Sequence, residues 1–275
     1  MITSTANDKV KQLIKWQKKR KTRDEEGVFL VEGIRMFVEA PKDKVREIYV
    51  SESFYGKKNQ ELRLDEWGRK LNILSDIVFG HVSDTQTPQG VLAVLDQSRY
   101  ALEQMLEGAA GPKEGRKRSG GEKQSPLLIV LDNLQDPGNL GTILRAGEAA
   151  GITGVIMSRD CVDIYNPKVI RSTMGSIYRV PFAYVENLPD MVRRLNQFGI
   201  GTYAAHLEGT HSYEAENYQK GTAFLIGNEG NGLSREVADS AGTYIRIPMC
   251  GQVESLNAAM AATVLLFEAA RQRRG

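Results

Sequence analysis

Three short stretches concentrate the side chains from which a reactive site could be built. In LDNLQDPGNLGTILRAGEAAG (131–151) an apolar run breaks at Asp-Pro-Gly-Asn and passes into a helix carrying one arginine, Arg145. Pro137 and Gly138 force a turn, and Asn139 stands at or just before the helix start, where its amide could cap free N–H groups. Turn chemistry alone would make Asn139 a cap and Arg145 an ordinary exposed residue. In LIGNEGNGLS (225–234), Gly227, Gly230 and Gly232 surround Glu229 directly after an apolar run. That glycine density lets a backbone approach a ligand closely and adopt positive φ. The order G-x-x-G-x-G is not a dinucleotide fingerprint, and the Lys-Ser/Thr of a phosphate-cradling loop is missing. In IPMCGQVESLNAAMA (247–261), Ser255 falls at the expected start of the last helix, where capping alone would explain it. Asn257, in the first turn of an otherwise apolar helix, is poorly explained by packing and needs polar partners if buried.

These stretches sit in a regular rhythm of elements. LLIVLD (127–132), ITGVIMS (152–158), IGTYAAH (200–206), TAFLIGN (222–228) and YIRIPM (244–249) read as strands. Between them run helices from about Asn139 to the cap at Gly151, over LPDMVRRLNQFG (188–199), over LSREVADSA (233–241), and over the closing SLNAAMAATVLLFEAARQRR. In the first helix Leu140, Ile143, Leu144 and Gly147 mark one packed face. Alternating strands and helices predict an α/β fold with a parallel sheet covered on both faces. Ligands of such sheets bind beyond the carboxyl ends of the strands, where all three stretches fall, so one shared site is expected.

The first part of the chain predicts a smaller α/β unit, with strands at VFLVEG (28–33), VREIYVS (45–51) and GVLAVLD (90–96) and a helix over KKNQELRLDEWGRKLN (57–72). It ends near EGAAGPKEGRKRSGGEKQSP (107–126), whose Gly, Pro and charge mark a linker or long loop. The expected divisions are a basic arm over 1–24, the small domain over 25–106, the linker over 107–125 and the larger domain over 126–275.

Composition narrows the function classes. The 275 residues carry a formal net charge of +2, so a globally basic nucleic-acid binder is not visible in the total. A local excess is: residues 1–26 hold eight Lys/Arg against four Asp/Glu. There Val10, Leu13, Ile14 and Gln17 lie near helical spacing among lysines, as a solvated helix face or as a phosphate-contacting arm with Trp16 available for stacking. Two distant cysteines, Cys161 and Cys250, give no disulfide framework and fit a reducing compartment. With three histidines a His/Cys metal site is not expected. No apolar run reaches the roughly 20 residues a membrane span requires, and the N-terminus lacks a secretory core. A soluble, cytoplasmic protein is expected.

Taken together, N-x-x-DPGN-x-G-x-x-x-R-x-A (Asn133 to Ala146), IGNEGNGLS and IPM-x-G-x-x-x-SLN resemble, in order and strand-end context, the three motifs of the SpoU (TrmH-like) branch of the SPOUT RNA methyltransferases. The resemblance covers essentially all of 125–275. Residues 25–100, with TQTPQGVLAVL (85–95) the nearest part, look like the RNA substrate-binding domain of several members, similar to a ribosomal-protein fold. Small departures, AAMA after Asn257 and LIGNEG for the commoner Phe-Gly start, leave the motifs intact.

The resemblance implies a deep trefoil knot in the C-terminal domain, a pocket for S-adenosyl-L-methionine formed by it, and a homodimer with both subunits near each site. It implies that Gly227, Ile247 and Leu256 hold the cofactor's adenosine through their backbone, with Met249 alongside. Asn139, Arg145, Glu229, Ser255 and Asn257 match the polar catalytic set. The implied reaction is methyl transfer to a ribose 2′-hydroxyl, in ribosomal RNA in preference to transfer RNA, without a metal. The resemblance makes Arg145 the proton acceptor. Because a free guanidinium stays protonated, the alternative is that Arg145 grips the target's phosphate and stabilises the developing alkoxide. Asn139 and Ser255 then orient ribose and arginine, Glu229 holds Arg145 or the loop, and Asn257 braces the loops. The alternatives are a transfer-RNA 2′-O-methyltransferase and a non-catalytic RNA-binding or ribosome-assembly protein on the same fold. A dehydrogenase is disfavoured by the missing G-x-G-x-x-G.

Overall fold

The computed structural model describes residues 1–106 and 125–274. The expected linker, 107–125, lies outside these residues except for Ser125. In chain order the first elements are α1 (Asp8–Lys18), α2 (Arg20–Glu26), β1 (Val28–Glu32), α3 (Ile34–Glu39), β2 (Val45–Ser51), α4 (Glu52–Leu62), β3 (Leu71–Leu74), α5 (Asp76–Val82), β4 (Val91–Asp96) and α6 (Leu102–Leu106). There follow β5 (Leu127–Leu131), α7 (Pro137–Ala150), β6 (Gly154–Ser158), α8 (Pro167–Thr173), β7 (Phe182–Val185), α9 (Leu188–Gln197), β8 (Gly201–Ala205), β9 (His211–Ser212), β10 (Thr222–Ile226), α10 (Arg235–Asp239), β11 (Thr243–Arg246) and α11 (Ala258–Arg274).

Contacts group the chain into two compact units, Met1–Ser98 with Asp163–Tyr178, and Arg99–Val162 with Arg179–Gly275. This division differs from the sequence expectation at two places. The segment 1–24 is not a free arm: Val10, Leu13 and Trp16 of α1 are buried with Leu30, Tyr49, Leu74, Phe79 and Leu92. Burial of Trp16 removes it from any stacking role. The second difference is 163–178, whose Tyr165 ring lies 4.7 Å from that of Phe29 and whose Asp163 pairs with the buried Arg23.

The first unit holds a four-stranded sheet in the order β1-β4-β2-β3, antiparallel except for β2 beside β3. The helix expected over 57–72 is shorter than its pattern. α4 stops at Arg63, whose φ of 49° ends the helical run, and Leu71 begins a strand. Pairing of 71–74 with Ile48–Ser51 overrides the local helical preference there.

The second unit holds seven strands in the order β7-β6-β5-β10-β8-β11-β9, parallel throughout. All five residues of β5 and of β10 are buried, as continuous apolar runs in a doubly covered sheet require. Leu128, Val130, Ala223 and Leu225 pack with α9 and α10 through Met191, Leu195 and Val237. Residues of opposite parity, such as Ile129 and Phe224, point to the other face. Long α11 lies against α7 and β10, burying Ala259, Ala262, Leu265, Leu266, Ala269 and Ala270. Its end is locked by Arg273, whose guanidinium donates to the carbonyls of Tyr218, Ser125, Pro126 and Lys220.

Candidate functional site

Directly after β5 stands Asp132, a buried carboxylate that accepts a hydrogen bond from the Ser234 amide at 2.8 Å and so ties this strand end to the start of α10. The chain then turns through Asn133, whose φ of 53° is a left-handed conformation that asparagine tolerates. Asp136, not Asn139, caps α7: its carboxylate accepts from the Asn139 N–H at 2.7 Å, and Pro137 opens the helix. The expected helix start is therefore displaced by two residues. With the cap supplied by Asp136, the Asn139 side chain is left to reach the other loops.

Beyond β10 the glycine-rich segment folds on itself through mutual backbone hydrogen bonds of Asn228 and Gly232 at 2.9 Å. A Cβ built on Gly227 would lie 2.0 Å from the Gly232 carbonyl carbon, so only glycine permits this closure. The fold projects Glu229 back toward the first loop. Its Oε1 accepts from the Asp136 N–H and from Nδ2 of Asn139, both at 2.9 Å, and its Oε2 from the Gln135 N–H at 3.1 Å. Partial burial opposes the charge on Glu229, but these donors outweigh it and hold its carboxyl below the usual glutamate range. Asn228 adds a second tie, donating from Nδ2 to the Asn133 carbonyl at 2.9 Å.

The third loop joins through Asn257. Its Nδ2 donates to Oδ1 of Asn139 at 2.9 Å, while its own Oδ1 accepts from the Ala259 and Met260 amides. Asn257 is thus the cap of α11, which begins at Ala258, and the capping role expected of Ser255 is corrected. Ser255 lies two residues upstream and is exposed.

A continuous chain Glu229–Asn139–Asn257 therefore links the carboxyl ends of β5, β10 and β11. Arg145 and Ser255 are not part of it. Arg145 is exposed on α7, and among the described residues its side chain has no hydrogen bond or ion pair. Glu229 holds the loop at Gln135 and Asp136 instead of the arginine. Ile247 and Met249 are half-buried just past β11, whereas Leu256 and Gly251 are exposed. Gln135, Asp136, Asn228 and Asp132 carry much of the geometry and were not singled out from the sequence. One signal was available for Asp132: an acid closing an otherwise apolar strand.

The loop after β5 is also held from its other side. Ser158 Oγ accepts from the Asn133 amide at 2.9 Å, and Gln135 donates to the Asp160 carbonyl at 2.6 Å. The buried Cys161 thiol, its pKa pushed up by burial, accepts from the Leu134 amide at 3.3 Å. The thiol also donates to the Leu131 carbonyl at 3.4 Å, so its role there is structural.

Residues 126–267 match the SpoU rRNA Methylase family, and residues 7–93 match the MRM3-like substrate binding domain. A 23S rRNA (guanosine(2553)-2′-O)-methyltransferase of Bacillus subtilis is 32% identical, covering 97% of each chain. A 23S rRNA (guanosine-2′-O-)-methyltransferase of Xanthomonas campestris is also 32% identical, over 89% of this chain and 96% of its own. Among solved structures, an AdoMet-bound rRNA methyltransferase from Sinorhizobium meliloti superposes with a TM-score of 0.81 at 30% identity, covering 98% of this chain and 97% of that one. The SpoU methyltransferase AviRb from Streptomyces viridochromogenes, in complex with AdoMet, gives 0.79 at 27% identity over 98% and 99%. With its three motifs converging on one strand-end site and its family match spanning more than half the sequence, the chain belongs to the SpoU rRNA methylase family.

Proposed function

We propose that the protein is an S-adenosyl-L-methionine-dependent methyltransferase acting on a ribose 2′-hydroxyl of ribosomal RNA. The observation that carries this reading is the Glu229–Asn139–Asn257 chain, which draws the three family loops to one sheet end. Support also comes from relatives named for 2′-O-methylation of 23S rRNA and from neighbours solved with AdoMet.

The residues present suit the methyl donor. Main-chain groups of 248–256 have no hydrogen-bond partner among the described residues, so they remain available to the polar edges of an adenosine. Val253 and Leu256 expose apolar surface beside them, 63% and 38% exposed respectively. Gly227, Ile247 and Leu256 would hold the donor through their backbone, with Met249 against it. When bound, the sulfonium supplies an electrophilic methyl, and the protein must orient the accepting hydroxyl and manage its proton.

Glu229 is a poor proton acceptor, since three N–H donors occupy its carboxylate; it is a positioning residue. A guanidinium does not take up a proton at ordinary pH, so Arg145 acts by charge, on an RNA phosphate and on the alkoxide that develops as the 2′-hydroxyl proton passes to solvent water and the methyl–sulfur bond breaks. Exposed Ser255 is placed to meet the ribose from the third loop. Asn139 and Asn257 fix the loops between which these groups work.

The active form in this reading is a homodimer with the C-terminal trefoil knot. On α11, Met260 and Phe267 are 53% and 42% exposed on the face away from the sheet, and Val253 and Leu256 in the preceding loop are exposed as well. A second copy covering it would shield this surface and bring Arg145 beside the partner's loops. No cluster of His, Cys, Asp or Glu among the described residues could hold a metal, and no described helix is long and apolar enough to cross a membrane. The reaction needs no metal in this scheme, and the cytoplasm is the compartment proposed.

The test is incubation with radiolabelled S-adenosyl-L-methionine and transcribed large-subunit ribosomal RNA, followed by mapping of 2′-O-methyl sites. A single 2′-O-methylated nucleotide is expected, and its 2′-deoxy counterpart should accept no methyl. Absence of methyl transfer to ribosomal RNA, both free and in assembling subunits, would overturn the assignment.

A further inference from the structure

We propose that the exposed face of α1, carried by Lys15, Lys18 and Lys19, is a docking surface for the RNA phosphate backbone; this rests on the RNA-directed function above. The face is defined by what the helix buries. Val10, Leu13 and Trp16 enter the core of the first unit. By helical geometry Lys11, Lys15 and Lys18 occupy the opposite arc. Lys19 follows as the capping residue.

Pairing separates these lysines from the other cations near them. Lys9 donates to Asn72 at 2.9 Å and lies 3.5 Å from Glu47. Lys11 faces Asp8, Arg20 faces Asp24, Lys21 faces Glu25, and Arg23 pairs with Asp163. Lys15, Lys18 and Lys19 are exposed, and their ammonium groups have no acidic or hydrogen-bonding partner among the described residues. Lys15 and Lys18 are about 4.5 Å apart along the helix axis, close enough to meet neighbouring phosphates on one strand. Three unneutralised ammonium groups on one short arc suit a polyanion that carries charge at regular intervals.

The backbone beneath them is fixed. Arg23, 3% exposed, donates to the carbonyls of Trp16 at 2.5 Å and Gln17 at 3.1 Å, and Gln17 donates in turn to the Val82 carbonyl. The last turn of α1 is thus held from within, and the lysines project from a rigid platform. This is the physical difference from a loose basic tail, which would have to be ordered on binding. It also corrects the picture of Trp16 as a stacking residue: the helix offers RNA charge, with its aromatic side turned inward.

The test compares the full-length protein with a variant carrying Lys15→Gln, Lys18→Gln and Lys19→Gln. Dissociation constants for transcribed large-subunit ribosomal RNA are measured across a salt series. The variant is expected to bind at least tenfold more weakly near physiological salt, with a log–log salt slope shallower by about 2–3. Its thermal midpoint and its affinity for S-adenosyl-L-methionine should stay at the wild-type values. A Lys9→Gln/Lys21→Gln control, at paired positions, should leave the slope nearly unchanged. A triple variant with wild-type affinity and slope overturns the proposal. So does one whose melting point falls while the slope stays fixed, since the lysines would then only complement the helix end. If the wild-type protein binds this RNA and the triple variant loses affinity and slope as expected, yet the wild-type transfers no methyl, the functional assignment fails and the docking face stands. If it methylates and the triple variant keeps the wild-type slope, the face alone fails. Wild-type protein that does not bind the RNA overturns both.

Discussion

Asn139 and Asn257, 118 residues apart in sequence, share a hydrogen bond of 2.9 Å in which the Asn257 amide donates to the Asn139 oxygen. Since Asn139 donates in turn to Glu229, its amide orientation is determined from both ends. The first and third loops therefore cannot move independently of the second. Arg145→Ala removes none of this chain, whereas a change at Asn139 breaks it in the middle.

Asn139→Ala should lower kcat/KM by roughly 10–100-fold, because one hydrogen bond to a charged group and one neutral bond are lost together. Asn257→Ala should give a similar loss. The double variant should fall well short of the product of the two, as expected for residues in one network. Steady-state kinetics of all three variants provide the check, and strict multiplicativity would show that the loops act separately.

Arg145→Ala should reduce methyl transfer by at least about 100-fold, the scale of losing one charge-stabilising donor. Donor affinity, measured by calorimetry, should change by less than about threefold, since among the described residues the Arg145 side chain has no hydrogen bond or ion pair to the three loops. Turnover at the wild-type level would remove Arg145 from the chemistry.

The depressed Glu229 carboxyl sets a pH dependence with a definite sign. A carboxyl whose folded pKa lies below its unfolded value contributes stability at neutral pH, and that contribution is lost as pH falls through the folded value. Because the same carboxylate ties together the loops that would hold the donor, donor affinity should follow this local stability, staying flat from neutral pH to about 5 and dropping on further acidification below the ordinary glutamate range near ~4.3. Glu229→Gln should bind more weakly at neutral pH and lose this acid-side drop. Calorimetric titrations at a series of pH values distinguish the two curves.

Arg273 is a stability residue. Its guanidinium meets four carbonyls and no carboxylate, and burial holds its pKa below the usual arginine value. Arg273→Ala should cost about 1–3 kcal/mol by leaving part-buried carbonyls unpaired. Arg273→Lys should recover only part, because an ammonium cannot fork to four acceptors. Thermal or denaturant unfolding measures both.

Much of the second unit was legible in the sequence because its strands are continuous apolar runs and its turns are marked by glycine, proline and asparagine. β5, β6, β8, β10 and β11 fall where the runs predicted them. The site was legible only as residue types. Nothing local distinguishes Asn139 as a cap from Asn139 as a bridge; the answer depends on Asp136 taking the capping position and on Glu229 arriving from 90 residues away. Ser255 shows the same limit in reverse, since Asn257, two residues on, is the side chain that caps α11. In the first unit β3 was hidden inside a helical pattern, and only its pairing with β2 reveals it. The placement of 163–178 had no local signal at all, because it is written in contacts of Asp163 and Tyr165 with residues more than a hundred positions earlier.

That placement bears on how the gene can be cut. Because 163–178 packs with the N-terminal residues, no single break in the chain yields two self-sufficient pieces. A fragment starting at Pro126 would keep α8 but lose the surroundings that bury Val169 and Ile170. Such a truncation should be sticky and poorly soluble even with every catalytic loop intact, so a silent C-terminal fragment would reflect a torn first unit more than a missing RNA grip.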